Sequence, residues 1–163
     1  MRKLNPQLVP VGLATAGAAL FLLSSPAAMA DSEDWYSRTN PLIAWEDGDA
    51  QALAYGTAYT KDGYLKNHTW YRDPRPGGSD VYTETAYNYY DYSPSFGTVK
   101  WLGPCCSDQS SRSDSGNWRD QYDHDYYADR SNVERGRVYY KVCEDQPHSP
   151  DPCSDNPFIT FTL

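Results

Sequence analysis

From residue 50 onward, apolar and aromatic positions alternate with polar ones in short runs separated by glycine, proline, asparagine and aspartate clusters. That period belongs to half-buried β-strands rather than to helices. Ala50 to Thr60 sets Leu53, Tyr55 and Tyr59 on one side and small alanines on the other. It ends at Lys61-Asp62-Gly63, and Tyr64 to Arg72 follows at once, so the two runs predict a hairpin. Asp80 to Tyr92 sends Val81, Thr83, Thr85, Tyr87 and Tyr89 to one face and Tyr82, Glu84, Ala86, Asn88, Tyr90 and Tyr92 to the other. Further runs span Thr98 to Leu102, Asn117 to Tyr127, Val133 to Val142 and Phe158 to Leu163. In the second of these, Trp118, Tyr122 and Tyr126 are four apart, a spacing shared by strand and helix. Aspartates and aromatics form helix poorly, so a strand is expected. The last two runs predict an antiparallel pair, with Val138, Tyr140 and Val142 on one face of the first and Ile159, Phe161 and Leu163 on one face of the second. The whole reads as an all-β protein, an antiparallel β-sandwich or jelly-roll-like single domain over 50–163, with 31–49 as an extended lead-in.

Residues 1–30 have a different grain. Arg2 and Lys3 open them, Val11 to Leu23 is apolar, and Ala28-Met29-Ala30 is a small-residue cleavage pattern, so a secretory signal peptide is expected. The apolar stretch is too short for a membrane span, which needs about 20 residues. The mature product is therefore expected outside the cell, free of the membrane and monomeric. Loss of Arg2 and Lys3 takes the net charge from -8 to -10. Such a surface repels nucleic acid and anionic lipid, so neither is expected as a partner.

Composition changes how the strands must be filled. After residue 30 only 12 residues are Leu, Ile or Val, against 15 Tyr and 5 Trp. Since one ring buries about 150 to 250 Å², many rings are expected to substitute for aliphatic filling. Rings left outside would make a binding surface, and Trp70, Tyr90, Tyr92, Trp118 and Tyr126 are the candidates. Burial competes with that role at each of them.

An exported chain is expected to oxidise Cys105, Cys106, Cys143 and Cys153. Pairing Cys143 with Cys153 staples the loop between the last two strands and leaves Cys105 and Cys106 to each other. That vicinal pairing is strained, because adjacent Cα atoms lie about 3.8 Å apart, short of the usual disulfide range of about 4.4 Å and upward. The other two connectivities tie the serine-rich loop at 103–117 twice to the final hairpin. Zinc is the alternative use of the thiols, but no CxxC pair and no histidine at ligand spacing accompanies them.

Asp123, Asp125 and Asp129 fall on one face by alternation, with Asp120 and His124 on the other. Oxygen-rich clusters hold calcium, so these three are the candidate metal ligands, against a plain solvated acidic face; no other cofactor is expected. No GxSxG elbow occurs, and His68, His124 and His148 lie in unrelated contexts. Glu84 and Glu134 can be paired as glycosidase carboxylates only because acids are abundant. Asn67-His68-Thr69 matches a glycosylation sequon.

The stretch RGRVYYKVCEDQPHSPDPCSDN, Arg135 to Asn156, resembles the endings of a loose group of small secreted β-rich proteins of Gram-positive actinobacteria. The resemblance implies export and a disulfide-bearing β domain, and it carries no activity and no binding residue. The expected function is a secreted, non-catalytic β domain that binds an extracellular or cell-envelope glycan or protein, through one sheet face or the 103–117 and 144–156 loops. A glycan or peptide hydrolase is the alternative, and a protease inhibitor built on residues 144–152 is a third.

Overall fold

A computed structural model describes residues 31–163, so the expected signal peptide lies outside the described residues. The described chain holds no helix, and therefore none long and apolar enough to cross a membrane. Ten strands form two antiparallel sheets: β1 (Ser32–Trp35), β2 (Leu42–Glu46), β3 (Asp49–Lys61), β4 (Tyr64–Arg72), β5 (Asp80–Ser93), β6 (Thr98–Trp101), β7 (Cys106–Gln109), β8 (Arg119–Tyr126), β9 (Arg135–Asp145) and β10 (Phe158–Thr162). The first sheet runs β1-β3-β4-β8 and the second β10-β9-β5-β6. They pack face to face as a single-domain β-sandwich, the first of the two architectures expected.

Each sheet has a long strand whose one edge is covered by two short strands in line. β2 pairs with the first half of β3 and β1 with its second half. Likewise β7 covers the first half of β5 and β6 its end. Two departures from the sequence reading follow. Residues 31–49 are not a lead-in but part of the first sheet, tied to β3 by a two-residue hairpin at Asp47-Gly48. Residues 103–113, read as a loop, run along β5, with Cys105 N donating to Tyr87 O and Ser113 to Val81 in a β-bridge.

The hairpin at Asp62-Gly63 forms as expected. Both residues sit at positive φ, 54° and 79°, the conformation that matches a two-residue turn to the strand twist. The closing pair also forms, with Ile159 opposite Val138 and Phe161 opposite Gly136. Gly136 is required there: a Cβ would meet the side chains of Leu65, Leu163 and Tyr89.

The core answers the shortage of aliphatics in an unequal way. Trp35, Tyr71, Tyr87, Tyr89, Tyr140 and Phe161 share it with Leu42, Leu65, Val81, Val138, Val142 and Ile159. On β3 the inward side is the small one, Ala52, Ala54, Gly56 and Ala58. This leaves room for Trp35, whose ring stacks on Tyr140 of the other sheet at 4.1 Å. Consequently Tyr55 and Tyr59 on β3 face outward, only half-buried.

Candidate functional site

The outward side of the first sheet is where the rings gather. On β4 burial alternates without a break: Leu65, Asn67, Thr69 and Tyr71 point in, and Tyr64, Lys66, His68, Trp70 and Arg72 point out. The register lays Tyr55 of β3 beside Trp70, and Tyr122 and Tyr126 of β8 beside His68 and Tyr64. The rings make a continuous row. Trp118 meets Tyr55 edge-on at 4.8 Å, Tyr55 stacks on Trp70 at 5.2 Å, and His68 lies 3.7 Å from both Trp70 and Tyr122. A second group on the same face joins Tyr64 to Tyr126 at 4.8 Å and to His124 at 5.3 Å.

Polar groups frame this row. His68 Nε2 and Asp120 Oδ2 are 3.2 Å apart, and the imidazole stacks on Tyr122 while it tilts against Trp70. The Arg72 guanidinium lies 5.1 Å from the Trp118 ring centre. Arg38, Tyr55, Trp70, Arg72, Gly116, Asn117 and Trp118 line a cavity of about 480 Å³ at this end of the row. Tyr122 and Tyr126 stay open to solvent, at 61% and 44% exposure. The rings of the row largely stack on one another, so its open apolar surface is chiefly that of Tyr122 and Tyr126, with the half-buried rings and charged hydrogen-bond donors at its other end.

The five expected binding residues thus separate. Trp70, Trp118 and Tyr126 belong to this face, while Tyr90 and Tyr92 lie on the outer side of the second sheet. There Tyr90 meets Trp101 at 5.5 Å, with Arg135 over the Tyr90 ring at 4.1 Å and Arg137 over Trp101 at 3.8 Å. Guanidiniums therefore lie over the Tyr90 and Trp101 rings, while Tyr92 and Phe158 on that face remain exposed. Tyr55, His68 and Tyr122 were not among the candidates. Tyr55 could have been found by counting back from the Asp62-Gly63 turn, which sets it opposite Trp70. Tyr122 could not, because its pairing with His68 joins residues 54 positions apart.

The aspartates behave unlike the expected metal cluster. Asp123 and Asp125 point into the sandwich, whereas Asp129 is exposed beyond the end of β8. Asp123 accepts hydrogen bonds from Thr85 Oγ1 and Gln121 Nε2, both at 2.9 Å. Asp125 accepts one from the Tyr89 hydroxyl at 2.6 Å and pairs with Arg130 at 3.5 Å. The three carboxylates do not converge: both oxygens of Asp123 are taken by protein donors, and Tyr89 and Arg130 take Oδ2 of Asp125. A solvated face does not describe them either. The strand sends them inward because its outer side carries Tyr122, His124 and Tyr126.

Burial pushes the Asp123 and Asp73 carboxyls up from their usual range. A raised folded-state value means that, between the ordinary range and the raised one, the folded protein holds protons that the unfolded chain has already lost. Stability contributed by these groups therefore falls as pH rises through that window. We expect thermal melting to show this decline from acid toward neutral pH and Asp123→Asn to flatten it; an equally steep decline in the variant would refute the assignment.

Among the cysteines, Cys143 and Cys153 are joined by a disulfide, as expected. Cys105 and Cys106 are free thiols, contrary to the expectation of full oxidation. The short Cα separation across one trans peptide opposes closing them on each other, and Cys143, fully buried beneath the closing hairpin, is already taken. The sequon is not presented by the folded domain, since Asn67 is fully buried and bonded to Trp35, Thr69 and Thr85. Compared with known proteins, the chain matches no protein-family model and no curated protein, so its function is read from this site alone.

Proposed function

We propose that the protein is an exported, non-catalytic β-sandwich that binds a glycan across the aromatic outer face of its first sheet. The observation that carries this reading is the uninterrupted row from Trp118 through Tyr55, Trp70 and His68 to Tyr122. Flat rings bury the apolar faces of sugars, and a sheet holds them rigid before binding, which lowers the ordering cost. Neighbouring strands are about 4.8 Å apart, close to the rise of one sugar unit. Arg38 and Arg72 beside the rings favour a glycan that carries carboxylates, a local attraction set against the long-range repulsion of a mature chain of net charge -10. Export is supported by the leader-like residues 1–30 and by the disulfide.

Affinity electrophoresis against a polyuronate and a neutral glucan tests this reading. The polyuronate is expected to retard the protein more strongly. Trp70→Ala is expected to weaken retention by at least about tenfold, one lost ring contact of roughly 1.5 kcal/mol, measured below the lowered melting temperature that loss of its packing on Tyr55 and His68 produces. Retention unchanged in Trp70→Ala, or no retention by either polysaccharide, would refute it.

A further inference from the structure

Behind the outward rings of β8, on its inward side, the first sheet meets the edge where β7 runs along β5. Cys106 opens β7 opposite Tyr87, and Asp125 reaches inward from β8. The two Sγ atoms and a carboxylate oxygen of Asp125 all lie within 4.8 Å of one another, the only such grouping of metal-ligating side chains among the described residues. Cys106 Sγ is 3.2 Å from Asp125 Oδ1, and Cys105 Sγ is 3.8 Å from Oδ2.

We propose that Cys105, Cys106 and Asp125 bind one soft divalent cation of the zinc type, leaving a fourth position open to solvent or to a further ligand. Two thiolates bonded at about 2.3 Å to a tetrahedral ion stand roughly 3.8 Å apart. Adjacent cysteines reach that separation, whereas the bond length of a disulfide would strain them. The carboxylate is already oriented for the role. Tyr89 donates to Oδ2 at 2.6 Å and Arg130 holds the same oxygen at 3.5 Å, so Oδ1 is the oxygen turned toward Cys106. Such hydrogen bonds on a ligand's far atom are what fixes metal ligands in place. Charge also closes: two thiolates and one carboxylate are balanced by a divalent ion and the Arg130 guanidinium, which lies 3.6 Å from Cys105 Sγ.

The thiolate is the ligating form of cysteine, so each sulfur–metal bond displaces a thiol proton to solvent, with no change of oxidation state.

The test is titration of the chain with cobalt(II), after thiol counting has shown two reactive thiols in the native protein and the Cys143–Cys153 bond intact. Expected are saturation at one equivalent, a thiolate-to-cobalt charge-transfer band with tetrahedral d–d absorption, bleaching by zinc, and about two protons released per ion. Cys105→Ser and Cys106→Ser should each diminish the charge-transfer band, and Asp125→Asn should weaken binding about tenfold or more. Absence of the band at millimolar cobalt, Asp125→Asn binding as tightly as wild type, or a native protein without titratable thiols would each overturn the proposal.

Discussion

Replacement of Trp35 by alanine is expected to lower unfolding free energy by about 4 kcal/mol, the upper part of the range for truncating a buried large ring. Trp35 is 3% exposed, lies across the small residues of β3 and stacks on Tyr140 of the opposite sheet. Its loss would open a cavity between the sheets at the point where β1 is fastened. The indole also donates to Asn67 Oδ1 at 2.9 Å, and Asn67 in turn donates to Thr69 and Thr85. Alanine therefore leaves a fully buried acceptor without its partner. Trp35→Phe keeps most of the filling and drops only that donor, for which about 1 to 3 kcal/mol is expected. Denaturant unfolding of both variants separates the two contributions. A loss below about 1 kcal/mol in Trp35→Ala would mean that β1 is not fastened by this ring.

Breaking the disulfide is the second large effect. Cys153→Ser is expected to cost about 3 kcal/mol, mainly because the unfolded chain regains the freedom that the closed loop removes. Serine suits the site, since residue 153 is exposed, while Cys143 remains as a buried thiol. The loop that the bond closes is also held from within. Asp151 accepts from the Tyr82 hydroxyl at 2.8 Å and from the Gln146 N–H at 3.0 Å, and burial with that Asp151 bond pushes the Tyr82 phenol up to about 12. Equilibrium unfolding in denaturant, with and without reductant, checks the expectation. Equal midpoints for Cys153→Ser and oxidised wild type would show that the bond contributes nothing. Since a domain of this size has only about 5 to 15 kcal/mol in hand, either substitution removes a large part of it.

From β3 onward, every strand but β7 was legible because each declares itself locally. β4 alternates over its whole length, and the two glycine-containing turn residues at 62–63 fix its register against β3. The same turn chemistry stands at Asp47-Gly48, and reading it there would have placed β2 as well. Short strands with little apolar alternation escaped. β7, with the sequence Cys-Ser-Asp-Gln, carries no strand signal at all and is a strand only because the edge of β5 offers it hydrogen bonds. The side of β3 that faces the core was likewise undetermined from within, since its alternation is equally consistent with tyrosines inside. Trp35, 21 residues earlier, decides it by filling the space above Gly56.

Sequence alone determined the period of the strands, the turns at which they reverse, and the chemistry on offer: many rings, few aliphatics, four thiols and an acidic surface. Those properties depend on neighbours in the chain and are readable from spacing. Which rings share a face, and that two adjacent thiols meet a carboxylate 19 or 20 residues away, were decided by the tertiary structure. The row of rings needs the pairing of β4 with β8, and the thiol–carboxylate group needs the inward side of β8 to meet the edge of the second sheet. Both are long-range placements, set by how the two sheets bury their inner faces together rather than by any local preference of the residues concerned.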